Sequence, residues 1–135
     1  MNETLSDTHI EEVTLQRGAC YGACPIYEVT LRRDGSAAWL GEAFTPRTGE
    51  YAGRIGIDEF ARLADFIERC GFFDWKDEYS EPVTDNPTFV LQVSRGRKVK
   101  RVRQYATDEP PDFWVVAELV DALANDIEWT PSTRT

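Results

Sequence analysis

Twice along the chain, a short alternating run leads into a tight turn, an extended return and then apolar residues at helical spacing; this repetition restricts the fold more than any other feature. The first run is Tyr27-Glu28-Val29-Thr30-Leu31, with its apolar set on one strand face, then the hairpin dipeptide Asp34-Gly35 and a return through Ala37, Ala38, Trp39 and Leu40. The second is Phe89-Val90-Leu91-Gln92-Val93, a turn at Arg95-Gly96 and a return through Val99, Val102 and Tyr105. Val99 and Val102 are out of period-two phase, which predicts a bulge near Lys100. Each unit closes on a tryptophan beside an acidic residue, Asp74-Trp75 and Glu128-Trp129. Strands with one apolar face must bury it, and helices following hairpins are placed to cover it. The expected class is α+β: a two-layer sandwich with an antiparallel sheet built from two hairpin-plus-helix units, both helices on one face.

The helices have legible ends. Asp58 is the expected N-cap of the first, with Glu59 in its opening turn, Phe60, Leu63, Ala64, Ile67 and Cys70 along one stripe, and Gly71 as the stop. Cys70, on that stripe, reads as a buried packing residue. Pro110 and Pro111 open the second helix, whose core face is Phe113, Val116, Ala117, Val120, Leu123 and Ile127. Trp114, Val115 and Leu119 fall off that face, an apolar excess that suits a homodimer contact through the C-terminal helix. Between the units, Asp74 to Asp85 is acidic without calcium-loop spacing and is expected to be an irregular, solvated loop. Asp85 then caps a turn through Asn86-Pro87-Thr88. Val13-Thr14-Leu15 makes a short first strand, and another extended piece surrounds Tyr51.

At 135 residues, 41% of them hydrophobic, the chain has enough apolar material for one core and no run long enough to span a membrane. One domain is expected over residues 12–130, with flexible tails at 1–11 and 131–135. The opening residues lack a basic and then an apolar segment, from which a cytoplasmic setting is expected. A net charge of -9 repels phosphate backbones, so neither nucleic acid nor a membrane is an expected partner. Against this acidity stand Arg95, Arg97, Lys98, Lys100, Arg101 and Arg103 on one hairpin. They read first as charges guarding a solvated edge strand, and second as a docking patch for an acidic partner.

The chemistry is concentrated in Cys20-Tyr21-Gly22-Ala23-Cys24-Pro25-Ile26-Tyr27. Gly22 permits a positive φ and Pro25 keeps Cys24 out of a helix, so the segment forms a compact loop in which the thiols can converge. Three readings stay open: two small core residues, a disulfide or redox pair, or ligands to a metal or haem. Zinc would be two ligands short, and His9, the only histidine, lies near a terminus; no cofactor or metal is expected. No catalytic set can be assembled around the loop, whose adjacent cation is Arg17. Tyr21, Tyr27 and Tyr79 are candidates to line a small pocket.

The Cys20-Tyr21-Gly22-x-Cys24-Pro25-x-Tyr27 block, followed by Asp34-Gly35, Tyr79 and Asp85-x-Pro87-Thr88, resembles the signature of a bacterial domain family of unknown function over about Val13 to Trp129. The resemblance implies that these positions matter, and no activity, substrate or cofactor. It also implies relatives that are exported or lipid-anchored, where the cysteines would be oxidised. Two function classes follow. The preferred one is a non-catalytic binding or interaction domain, for a protein or small-molecule partner, with the cysteine loop as its site; the other is a thiol-based redox-responsive domain in which Cys20 and Cys24 form a reversible disulfide.

Overall fold

The structure, a computed structural model, describes residues 9–20, 22–83 and 86–132. Within them the chain runs β1 (Ile10–Arg17), β2 (Ile26–Arg32), β3 (Ser36–Ala43), β4 (Gly49–Arg54), α1 (Ile57–Arg69), a 3-10 turn (Phe72–Asp74), β5 (Glu78–Ser80), β6 (Thr88–Arg95), β7 (Lys98–Tyr105), α2 (Pro111–Asn125) and β8 (Thr130–Pro131). It is a mixed α+β fold. Its strands form one sheet in the order β5-β7-β6-β1-β2-β3-β4-β8, antiparallel at every pairing except β5 with β7.

Alternation does the sorting that the sequence predicts. Val13, Leu15, Val29, Leu31, Trp39, Leu91, Val93 and Val102 point to one side and join Phe60, Leu63, Ala64 and Ile67 of α1 and Phe113, Val116, Ala117, Val120 and Ala124 of α2 in a single buried cluster. On the other side the register lines up polar side chains. Thr14 and Thr30 are bonded at 3.1 Å, Gln16 donates to Glu28 at 3.0 Å, and Arg32 pairs with Glu12 at 2.9 Å.

Several local expectations are corrected. β1 starts at Ile10, inside the segment assigned to the N-terminal tail, because Ile10 is fully buried and pairs with Arg95 across a register shift. The N-cap of α1 is Gly56, whose N–H donates to Glu59 Oε1 at 3.2 Å; Asp58 instead sits in the first turn, where its negative charge is favoured by the positive end of the helix dipole. Cys70 is the C-cap and only half-buried, and Gly71 ends the helix at a φ of 71°. The β6–β7 register is unbroken from Thr88↔Tyr105 to Arg95↔Lys98, so there is no bulge at Lys100 and the turn is Gly96-Arg97. Val99 is out of phase because it lies on the open face, 62% exposed.

The acidic stretch after Asp74 is not wholly irregular. Trp75 Nε1 donates to Cys70 O, Lys100 binds Asp77, and the N–H of Arg103 reaches Asp77 O at 2.9 Å, which draws Glu78–Ser80 onto β7 as a parallel edge. In α2, Ala124 joins the buried face, whereas Leu123 is partly buried and Ile127 lies beyond the helix end.

The register places all of β1's C-terminal end, β2's start, β3's end and β6's start at one end of the sheet, through Arg17↔Tyr27, Arg17↔Phe89 and Ile26↔Ala43. Residues 18–20, 22–25, 44–48, 81–83, 86–87 and 106–110 therefore leave the sheet at this end. At the opposite end the hairpins turn tightly. Gly35 takes a φ of 92°, and Asp34 accepts from the N–H and hydroxyl of Ser36, which holds its carboxyl below the usual carboxylate range.

Candidate functional site

In the loop after β1, Cys20 and Cys24 form a disulfide, with Cα atoms 5.8 Å apart. Gly22 supplies the turn at a φ of 108°, and Pro25 delivers the chain directly into β2. Tyr21 and Asp85, both expected at the site, lie outside the described residues.

Tyr27 points inward. It is 7% exposed, stacked on Trp39 with centroids 4.6 Å apart, and its hydroxyl donates to Asp121 of α2 while accepting from Arg17 Nη1 at 3.3 Å. Burial, and next the bond to the Asp121 carboxylate, push its pKa up to about 12, so it is a fixed neutral donor at any physiological pH. Arg17 also lies 3.8 Å from Asp121 Oδ2 and 4.7 Å from the centre of the Phe89 ring. Strand, loop and helix are thereby tied at the same end of the sheet.

Beside Arg17 opens a cleft of about 470 Å³, walled by Pro87, Phe89, Gln104, Thr107 and Trp114. Phe89 and Gln104 are cross-strand partners, and the Trp114 ring meets Phe89 edge-on at 4.8 Å. Gln104 is fully buried; its Nε2 donates to Glu109 O at 3.1 Å, whereas its Oε1 has no hydrogen-bond partner, and neither does the buried Trp114 Nε1. Across the loop end, Phe44 holds a φ of 57° with 60% of its surface exposed, a conformation that costs a non-glycine residue about 1–3 kcal/mol.

Other sequence candidates are dispersed. Tyr79 is in β5, four strands from β2 and roughly 19 Å away at about 4.8 Å per strand, with its hydroxyl accepting from the Lys76 N–H. The structure does not bring it to Tyr27. The basic hairpin is split by its own pleat. Arg95 pairs with Glu68 at 2.7 Å and covers Phe73, and Lys100 pairs with Asp77 at 2.8 Å, while on the opposite face Arg103 pairs with Glu78 at 2.9 Å and Arg101 donates to Gln16 and Gln92. Lys98 shares the face of Lys100, and Arg97 occupies the turn. Cys70 lies at the end of α1, its thiol pushed up to about 11 by burial and then by the charge of Asp112.

Sequence reasoning passed over Gln104, Trp114 and Asp121. Gln104 shares the phase of Val102, the signal of an inward position, and a polar residue there is worth attention because it must find partners. Trp114 was expected off the core face and is instead partly buried against Phe89 and Phe113. Nothing in the sequence pairs Asp121 with Tyr27, because that contact depends on where α2 lands.

No helix among the described residues is long and apolar enough to cross a membrane, and no group of three or more histidine, cysteine or acidic side chains among them could hold a metal ion. A family model described as a domain of unknown function, DUF6438, matches residues 11–124. No curated protein matches the chain.

Proposed function

We propose that this chain, which belongs to the DUF6438 family, is a small non-catalytic binding domain whose binding surface is the end of the sheet that carries the disulfide loop. The observation that supports this reading is that residues 18–20, 22–25, 44–48, 81–83, 86–87 and 106–110 all lie along that end, while the hairpins at the other end close in tight turns. Loops on a rigid scaffold are where binding residues are tolerated and positioned. A strained, exposed Phe44, the cleft beside Arg17 and the disulfide that shortens the first loop all fall on this end. The body behind it is a two-layer sandwich of two hairpin-plus-helix units with both helices on one sheet face, a reading supported by the single buried cluster that both helices share with the strands. Chemical-shift mapping of ¹⁵N-labelled protein with a panel of small polar and aromatic compounds tests it. Shifts should gather on Gly18, Phe44, Phe89 and Thr107; shifts gathered around Asp34 and Gly96 would overturn it.

The Cys20–Cys24 bond supports a second reading, a redox-responsive loop in a domain that works where the pair is kept oxidised. Closing so short a loop stabilises by about 2 kcal/mol through the unfolded chain. Reductant should therefore lower the wild-type melting temperature by roughly 5 °C and leave a Cys20→Ser, Cys24→Ser double variant unmoved. A midpoint potential below about −300 mV would make the bond a permanent clip and sink the switch.

A further inference from the structure

We propose that the seam between α1 and α2, on the solvent side of the helix layer, is a docking groove for a basic amphipathic helix of a partner protein, a surface separate from the loop end.

The two helices run antiparallel. Cys70 at the end of α1 meets Asp112 in the first turn of α2, and further along the seam Glu59, Arg62 and Leu63 of α1 share a furrow of about 300 Å³ with Leu119 and Leu123 of α2. The core side of α2 is already filled by Phe113, Val116, Ala117, Val120 and Ala124. Val115, Leu119 and Ala122 stand on its other side at helical spacing, Val115 42% and Leu119 38% exposed. Folding of the domain does not need this second apolar stripe, because the first one makes the core. A furrow with apolar walls between two helices accepts the apolar edge of a third, the mode in which side chains at i, i+3 or i+4 and i+7 serve as anchors.

Charge decides the occupant. α2 carries three acidic residues and no lysine or arginine. Asp121 is committed to Tyr27 and Arg17, Asp65 to Arg69, and Glu68 to Arg95. That leaves Asp58, Glu59, Asp112, Glu118 and Asp126, all exposed, without an ion pair among the described residues. Against them stands Arg62, three and four residues after Glu59 and Asp58, where its charge is offset within its own turn. A second copy of this chain, laid on through a twofold axis, would set these carboxylates against their own images. Lysines or arginines flanking an apolar stripe would instead find a carboxylate at each end of the furrow and along its α2 side.

Three synthetic peptides of about four helical turns test this by titration into ¹⁵N-labelled protein. The first has leucines at i, i+3, i+4 and i+7 spacing and lysines elsewhere, the second keeps the leucines and replaces lysine by glutamate, and the third has the composition of the first in an order without a stripe. The first should shift the amides of Leu63, Leu119 and Leu123 and bind at least about tenfold tighter than either of the others. Leu119→Ser and Glu118→Lys, both at exposed positions, should each weaken it by about fivefold or more. Equal binding of the unstriped lysine peptide would mean that charge alone holds it and that the seam is no groove. Equal binding of the glutamate peptide would remove the charge selection, and the assignment with it. Shifts confined to the loop end, or no shift at the seam with any peptide, overturn the proposal. Sedimentation showing that the protein alone self-associates, with seam resonances that move on dilution, makes a second copy the occupant and overturns it too. Should either variant fail to fold, the three peptides on the wild-type protein decide alone.

Discussion

Replacing Gly41 with alanine is expected to cost on the order of 4 kcal/mol or more, enough to leave a domain of ordinary stability largely unfolded. A Cβ at this position would lie 1.8 Å from the carbonyl oxygen of Arg47 and 2.8 Å from Trp39 Nε1. The obstruction is backbone, so no side-chain rotation relieves it. Nor can the carbonyl easily move, because it accepts the Trp39 indole N–H at 3.1 Å while the Arg47 guanidinium covers the same ring at 4.2 Å. The segment 44–48 folds down over Gly41, and only a hydrogen fits beneath it. Gly18→Ala is the control: its Cβ would sit 3.4 Å from Thr88 O and 3.7 Å from Thr88 Cβ, near ordinary contact, and should change stability by less than about 1 kcal/mol. Urea unfolding of the two variants compares them directly, and a Gly41→Ala protein as stable as Gly18→Ala would mean that the segment does not cross the strand.

Trp39→Ala should cost about 3–5 kcal/mol, the range for removing a buried large aromatic side chain. Trp39 is 5% exposed and stands at the centre of a stack, 13° from the plane of Tyr27 on one side and tilted against Trp129 at 5.9 Å on another. Its loss removes the surface on which Arg47 lies and the ring that fixes Tyr27. Two effects should therefore appear in one variant: a lowered denaturation midpoint, and loosening of residues 44–48 seen as faster amide hydrogen exchange. Trp39→Phe keeps the stack but not the bond to Arg47 O, and is expected to lose less stability while still freeing the segment. Unchanged exchange at 44–48 in both variants would show that the loop is held by something other than this ring.

How much of this was legible beforehand differs between scaffold and site. The hairpins and helix stripes announce themselves through residues i, i+2 and i, i+3, i+4, because local periodicity and turn chemistry are properties of short segments. Asp34-Gly35 predicts a turn and makes one. The misplaced cap at Asp58 has a local reason too: glycine offers no side chain to suggest a cap, yet Gly56 is held there by Glu59 reaching back. β5 was hidden because three residues leaning on an edge make almost no pattern. The site is harder still. Cys20 and Cys24 are visible as a pair because they lie in one loop, whereas Arg17, Tyr27 and Asp121 meet through the packing of α2 on the sheet. Likewise Arg95 to Arg103 looks like one basic patch in the sequence and becomes two sets of ion pairs once the strand pleat sends neighbours to opposite faces.

The place of β1 in the sheet carries a consequence for synthesis on the ribosome. Although it is made first, it ends in the interior of the sheet, between β2 and β6. The pairings of β1 with β2, β2 with β3 and β3 with β4 need only neighbouring hairpins, so a half-sheet can assemble as soon as α1 has emerged. The other side of β1 then waits for β6, at translation speeds on the order of several seconds. Throughout that interval an apolar-faced strand presents a full row of unpaired backbone N–H and C=O groups, the template on which a second nascent chain would add. The hazard for this protein lies in the time before β6 arrives, and slowed translation between residues 70 and 95 would lengthen it.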